Sequence, residues 1–404
     1  MKRSLFFIVL LLTFVGISLI AVDKYTAFAP SLVEAELDYQ QLEKEPLEEV
    51  EEVEEISIKP PKTTQILIVA VGDIMFHMPQ INGARLSNGG FDFSPSFKYI
   101  KSDIESADFA IANLETVIGG NEKGFKGFPR FNSPVESLDA LKIAGFDILI
   151  TANNHSLDGG KNGIINTINE IEKRDLLHLG TSKEERKPYI IIEKEGLRIG
   201  LLSYTYGLNG LDSLLSREDK SRMINLIDEE VIKKDIENIK SENVDFIISY
   251  MHWGNEYHKE PSEPQKKLAR TLANSGVDLI LGSHPHVIQM SDKLISGPSS
   301  TYVVYSMGNF ISNQSYQTMG VSSTEDGLIF KGKITKDNQT LITKLEEVSY
   351  EPTWVYRELK NKRYAHYIIP VEKALKGELD IEFTQKTIER LEKSKSDTLN
   401  ILNK

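Results

Sequence analysis

The residue types that could do chemistry in this chain sit in one kind of place, immediately after short apolar runs. Ile66 to Gly72 ends at Asp73, Phe109 to Ala112 at Asn113-Leu114-Glu115, and Phe146 to Ile150 at Thr151-Ala152-Asn153-Asn154-His155. Val244 to Met251 ends at His252, and Val277 to Gly282 at Ser283-His284-Pro285-His286. Of eight histidines, five (His77, His155, His252, His284 and His286) follow these runs, which is too ordered a placement for a scarce residue to be ignored. Asp73, Glu115, Asn154, His252, His284 and His286 together offer two carboxylates, an amide oxygen and three imidazoles. That mixture suits borderline divalent ions such as Mn, Fe or Zn better than Ca or Mg, which favour all-oxygen shells. A binuclear centre, in which a carboxylate bridges ions about 3.5–4 Å apart, is the expectation.

Each residue also has a structural reading. Asp73 could cap a turn, Glu115 could be a surface acid, and Asn154 is a common turn residue; the joint pattern argues for one site. Ser283-His284-Pro285-His286 is the most specific local piece, and Pro285 restricts the backbone of His284 towards an extended form. His155, beside Asn154, is placed to act on a leaving group. Four further residues are candidates for substrate binding or for orienting ligands: His77, Asn113, Glu256 and Asn309. His77 lies between Phe76 and Met78, so it either faces the site or belongs to a packed loop. Glu256, in Trp253-Gly254-Asn255-Glu256-Tyr257, forms a rim; Asn309 either touches substrate or closes a turn.

An apolar run that stops at polar residues before a helical stretch reads as a buried strand, and ligands bind outside the carboxyl ends of such strands. From Gln65 to about Val348 strand-like and helical runs alternate, the signature of an α/β domain. Helices are expected at Ser96 to Glu105, Pro134 to Ala144, Lys161 to Lys173, Glu229 to Ser241 and Ser262 to Asn274. Further strands are expected at Tyr189 to Ile192, Leu197 to Ser203, Thr301 to Tyr305 and Leu328 to Ile334, the first two as a hairpin, so the sheet system is mixed. Four segments result: 1–22 a signal-anchor or transmembrane segment, 23–62 an acidic flexible linker, 63–350 the catalytic-type domain, and 351–404 a C-terminal helical appendage.

With 40% hydrophobic and 26% charged residues, the chain reads as a globular protein and neither wholly disordered nor a multi-span membrane protein. The net charge of -12 is concentrated in residues 31–58, which hold eleven acidic residues and one lysine. The remainder is near neutral and has no broad basic surplus, so nucleic acid is not an expected partner. There is no cysteine, which excludes disulfides, thiolate ligands and a lipidated cysteine. Lys2 and Arg3 precede an uncharged apolar run from Ser4 to Val22, about nineteen residues, close to the thickness of a bilayer core. The positive-inside rule then sends the body across the membrane. Ala27-Phe28-Ala29 resembles a cleavage site, which leaves a cleaved signal peptide as the alternative. A short helix around Leu47 to Glu55 fits the acidic spacer.

In these residues the chain resembles the capsule-synthesis CapA/PgsA family, associated with bacterial poly-γ-glutamate capsules, whose domain looks like a divergent calcineurin-like metallophosphoesterase. The matching pieces are Val71-Gly72-Asp73-Ile74-Met75, Asn113-Leu114-Glu115, Ala152-Asn153-Asn154-His155 with Asp158 and Gly160, His252 to Tyr257, Gly282 to Val287 and Tyr305 to Phe310. The resemblance implies a metallophosphatase-like sandwich of two mixed β-sheets flanked by helices. It also implies that Glu115 bridges two ions, with Asn154, His252 and His284 on one, Asp73 and His286 on the other, and His155 as general acid. It departs at Met75, where metallophosphoesterases place a His; the second ion is then weakly held, absent, or supplied by His77. Two functions follow: a membrane-anchored, extracytoplasmic metal-dependent hydrolase or transferase acting on an anionic capsular polymer, or a non-catalytic polymer-binding and export subunit of a synthase complex.

Overall fold

The computed structural model describes residues 62–402 apart from 123 and 298. The apolar run 4–22, the acidic spacer and its short helix therefore lie outside the described residues; among those described, no helix is long and apolar enough to cross a membrane.

Among the described residues, fourteen strands form two sheets. The first contains β1 (Thr63–Ile74), β2 (Phe109–Leu114), β3 (Ile148–Ile150) and β4 (Leu177–Leu179). The second is built on β5 (Tyr189–Lys194), β6 (Leu197–Thr205), β7 (Phe246–His252), β8 (Leu279–Ser283), β9 (Ser291–Ser296) and β10 (Ser299–Val304). The chain then returns to the first sheet with β11 (Asn309–Ile311), β12 (Asp326–Asp337), β13 (Thr343–Lys360) and β14 (Arg363–Pro370). The first sheet runs β14-β13-β12-β1-β2-β3-β4, with β11 also paired to β1, and the second runs β5-β6-β7-β8-β10-β9. A parallel set (β1-β2-β3-β4 and β6-β7-β8-β10) is extended by antiparallel strands, on one side in the first sheet and on both in the second, so both sheets are mixed as expected.

Alternation within the apolar runs places the sheets. Ile66, Ile68 and Ala70 of β1 pack with Ile199, Leu201, Ile248 and Leu281 of the second sheet to form the core between sheets. Val69 and Val71, of opposite parity, pack outward with Leu138 and Leu141 of helix Glu136–Ala144. On the far side Ile247 and Met251 meet helices Glu229–Ser241 and Glu263–Asn274 through Ile236 and Leu272. A slip of one residue would turn each of these sets to the wrong layer, so the register is held by burial on both faces.

A second device aligns the parallel strands at the end away from the site. Asp108, Asp147, Asp245 and Asp278 each stand just before β2, β3, β7 and β8, and each carboxylate accepts an N–H from the preceding strand, of Leu67, Ala110, Arg198 and Ile247 respectively, at 2.8 Å. The aspartate N–H groups donate back to the carbonyls of the same four residues at 2.8–3.0 Å. Hydrogen bonds to a charged partner are worth roughly 1.5–3 kcal/mol each, a gain that burial of the carboxylate outweighs at Asp147 and Asp278. Strands pinned at one end must finish level at the other.

Most expected elements are present. The stretch Ser96 to Glu105 differs, being a 3-10 turn at Ser94–Phe97 followed by a short helix at Lys101–Glu105. The segment 351–404 is not simply helical. Its first part completes β13 and β14 at the edge of the first sheet, and only Val371–Leu375 and Gln385–Leu402 are helices among its described residues. Trp354, Ile369 and Leu391 bury one face of this edge, while its other residues alternate with charge, which masks a long half-exposed strand from periodicity.

Candidate metal centre and its acid–base neighbour

The carboxyl ends of β1, β2, β3, β7 and β8 meet where the two sheets abut. Close backbone approach brings them together: a Cβ on Gly72 would lie 2.0 Å from the Gly308 carbonyl oxygen, and one on Gly282 would lie 2.0 Å from that of Tyr305. Only glycine fits immediately before Asp73 and two residues before His284.

Asp73 is fully buried and held on three sides. Asn113 Nδ2 donates to its Oδ1 at 2.8 Å, His286 Nδ1 donates to its Oδ2 at 3.0 Å, and the His284 N–H points at Oδ2 from 3.3 Å. Burial pushes the Asp73 carboxyl up, but the hydrogen bond and charge of His286, with the Asn113 amide, more than offset it and hold the group below the usual carboxylate value. Because Asp73 takes the Nδ1 proton of His286, the other ring nitrogen is the one left to face the cluster, and it lies 3.9 Å from Glu115 Oε1. His252 Nε2 lies 3.6 Å from the same oxygen and 2.9 Å from Asn154 Oδ1, while its Nδ1 is hydrogen-bonded to Ser283 Oγ at 3.0 Å.

Glu115 is the anomaly. It is fully buried, and Oε1 has no hydrogen-bond partner among the described residues; the same holds for His284 Nδ1. Burial, and then the negative charge of Asp73, pushes the Glu115 carboxyl well above its ordinary value. Burial, followed by the neighbouring imidazoles, pushes His252 well below its ordinary value, and His284 down to about 3. These two imidazoles are therefore neutral near pH 7, the form that binds a cation. Potential donor atoms of Glu115, His284 and His286, and of Asp73, Glu115 and His252, lie within 4.8 Å of one another in each group. Glu115 is common to both groups; His284 and His286 fall with it in one, Asp73 and His252 in the other.

Two strained residues aim the imidazole pair. His284 has φ +96° and His286 has φ +58°, in the left-handed region disfavoured for side chains with a Cβ. The extended conformation expected before Pro285 is thus not adopted by His284. The cost is carried by tertiary contacts, among them the Tyr257 N–H, which donates to the Pro285 carbonyl at 2.7 Å.

His155 stands beside this cluster. Its Nδ1 donates to Asp158 Oδ2 at 2.8 Å, and the same oxygen accepts the Phe131 N–H at 2.6 Å. The Phe131 ring stacks edge-on against both His155 and His77. His155 Nε2 faces Asn209 Nδ2 at 3.4 Å, and Asn209 Oδ1 accepts from Asn154 Nδ2 at 3.1 Å, so Asn209 bridges the two residues. Sequence reasoning missed Asn209. Its signal was the Asn209-Gly210 pair beyond β6, a parallel neighbour of β7 that ends at the same edge. Asp158 entered only as part of a matching motif, and its role as partner of His155 is a structural finding.

The remaining candidates divide. Asn113 is central, linking Asp73 to Asn153, whose Nδ2 donates to Asn113 Oδ1 at 3.1 Å. His77 lines the wall, with Nε2 hydrogen-bonded to Ser312 Oγ at 3.2 Å, and burial lowers its pKa to about 4; it falls in neither donor group. Glu256 is exposed at the rim, beside Tyr257 and not against an imidazole. Asn309, the first residue of β11, donates through Nδ2 to Gln314 Oε1 and the Thr324 carbonyl, while its buried Oδ1 has no partner among the described residues.

Residues 67–314, more than half of the chain, match the bacterial capsule synthesis protein family PGA_cap. The chain is 27% identical over 296 residues to the capsule biosynthesis protein CapA of Bacillus anthracis, covering 70% of this chain and 67% of that protein. It is 29% identical over 247 residues to the PGA biosynthesis protein CapA of Bacillus subtilis (strain 168), covering 60% of this chain and 61% of that protein. The match thus spans about two thirds or less of either relative. Among solved structures, the calcineurin-like phosphoesterase YfkN from Bacillus subtilis superposes with a TM-score of 0.44 at 15% identity, over 85% of this chain and 100% of that one.

Proposed function

The chain belongs to the bacterial capsule synthesis protein family PGA_cap, and from that premise we propose that it acts on the capsular polymer through a divalent-metal centre, as a hydrolase or transferase. The observation that carries this reading is the buried, unpartnered Oε1 of Glu115, faced by ring nitrogens of His252 and His286. Its Oε2 has only a 3.4 Å contact from Asn113 Nδ2, and a buried carboxylate oxygen with no donor is costly unless a proton or a cation completes it. Two carboxylates, an amide oxygen and three imidazoles fit a borderline divalent ion.

Asp73, Glu115, Asn154, His252, His284 and His286 would hold one or two ions of Mn, Fe or Zn. When bound, such an ion supplies Lewis-acid polarisation of the scissile group and stabilises developing charge. The protein's own residues do the rest. Asp73 fixes the His286 ring, and Asn113 and Asn153 lock the ends of β1, β2 and β3. Asp158 accepts the His155 Nδ1–H and so orients Nε2 as the reacting nitrogen; once Nε2 also carries a proton, the imidazolium would give it to a leaving group as general acid. The Tyr206 ring lies 4.5 Å from that of His284 and covers it from solvent.

Poly-γ-glutamate is the polymer this reading assigns, from the family resemblance of the motifs; the Bacillus subtilis relative is a PGA biosynthesis protein. The apolar run 4–22 after Lys2 and Arg3 supports a single-pass anchor, with the body extracytoplasmic beyond the acidic spacer. A second reading, a non-catalytic polymer-binding and export subunit of a synthase complex, is favoured by Met75. Its buried thioether stands where a metallophosphoesterase-like His would be, and His77 is engaged with Ser312 rather than replacing it.

The deciding experiment assays metal-loaded protein on phosphoesters and on γ-glutamyl amides beside His155→Ala. Turnover that His155→Ala abolishes with metal content intact supports the enzyme. Fully loaded protein inert on both substrate classes leaves the subunit reading.

A further inference from the structure

Three neighbouring cavities that share lining residues lie beside the metal-ligand cluster, though no candidate ligand lines them. The first, about 170 Å³, is lined by His77 and Tyr257, and the Tyr257 ring lies 6.1 Å from that of His286. It shares Asn313 and Thr318 with the largest, about 820 Å³, whose walls include Tyr316, Trp354, Arg357, Tyr364 and Lys386. That cavity in turn shares Pro79 and Tyr364 with a third, about 460 Å³, which adds Arg85, Lys362 and Arg363.

The charge along this path is one-sided. Among the described residues Glu325 is the one carboxylate lining the three cavities, and it is already satisfied: it accepts from Trp354 Nε1 at 3.0 Å and the Tyr316 N–H at 2.9 Å, and it faces Arg390 Nε at 3.4 Å. Arg390 is spent on Glu325 and Asp326. Arg357 is not neutralised, because its guanidinium donates to the uncharged amides of Asn313 and Gln317. Among the described residues Arg85, Lys362, Arg363 and Lys386 also make no ion pair with a carboxylate. Five unneutralised cations along one path, in a chain of net charge -12, are a localised feature and not a general basicity. Between them the exposed rings of Tyr316 (64%) and Tyr364 (43%) offer apolar walls.

We propose that these cavities form an extended subsite for a linear polymer carrying repeated carboxylates, which lays its methylenes on Tyr316 and Tyr364 and presents one unit to the cluster. A single small metabolite would not span three connected cavities; a chain with regularly spaced anions would. The proposal rests on the functional reading above, and it names where the polymer lies beyond the reacting bond.

The test is fluorescence anisotropy of labelled poly-γ-glutamate with the full-length chain, compared with Lys386→Glu and Lys362→Glu, both exposed and without a carboxylate partner among the described residues. Binding weakened on the order of tenfold in each variant, about 1.4 kcal/mol, with metal content and melting temperature unchanged, is the expected result. Wild-type binding that neither variant alters overturns the subsite while leaving the functional reading intact. No binding by the wild type at low salt removes the polymer reading itself.

Discussion

Asn154 Oδ1 lies 2.9 Å from His252 Nε2, joining the loop after β3 in one sheet to the end of β7 in the other across 98 positions of sequence. With the Asp73–His286 hydrogen bond at 3.0 Å and the Tyr250 hydroxyl donating to the Val71 carbonyl at 2.8 Å, it forms a polar seam at the site end of the apolar core between the sheets. The donor set is therefore assembled by the sandwich, and neither sheet holds it alone.

Metal retention should follow this seam. Protein purified without added metal and analysed by elemental mass spectrometry should carry Mn, Fe or Zn. Glu115→Ala, which removes the oxygen common to both donor groups, should lose nearly all of it. Asn154→Ala, which removes one proposed ligand and the Oδ1 contact of His252, should lose at least roughly tenfold in affinity. Chelation should lower the melting temperature of the wild type and leave Glu115→Ala unmoved. A metal-free wild type that stays empty after incubation with these ions would count against the centre.

The Asp158–His155 pair should separate positioning from ligation. Asp158→Asn cannot hold the Nδ1 proton of His155 in the same way, so kcat should fall by roughly 10²-fold or more while metal content stays constant. His155→Ala should fall at least as far, and the double variant little further, because the two act as one unit. Independent, additive losses in the pair would argue that Asp158 serves only the Phe131 loop.

A pH effect on stability should trace to the strand-end clamp at Asp278. Burial pushes its carboxyl from 3.8 up to about 6, the Ile247 N–H only partly opposing it. The folded protein thus binds this proton more tightly than the unfolded chain. Its contribution is full below about pH 4 and is lost as the pH rises through about 6. Asp278→Asn should be stabilising relative to wild type at pH 8, by on the order of 2 kcal/mol, with the gain shrinking towards pH 4. Urea midpoints at both pH values check the sign; a gain independent of pH would exclude titration of Asp278 as the cause.

Much of the site was legible because polar residues after apolar runs have few structural uses. Asp73, Glu115, Asn154, His252, His284 and His286 are all found together, each at a strand end. Other parts were hidden for specific reasons. Asn209 reads as an ordinary turn residue until Asn154 and His155 are seen on either side of it. β13 is largely exposed and rich in charged residues over its first half, so its place in the first sheet, and that of β14 paired to it, could not be told from a loose appendage.

Local sequence determined which residues finish each strand, since apolar runs of fixed parity bury in only one register and the aspartates at their starts level them. Only the tertiary structure decided which side chains share an oxygen. That choice depends on how two sheets abut and on the left-handed turns at His284 and His286, where contacts from distant segments such as Tyr257 outweigh the local preference for an extended backbone before proline.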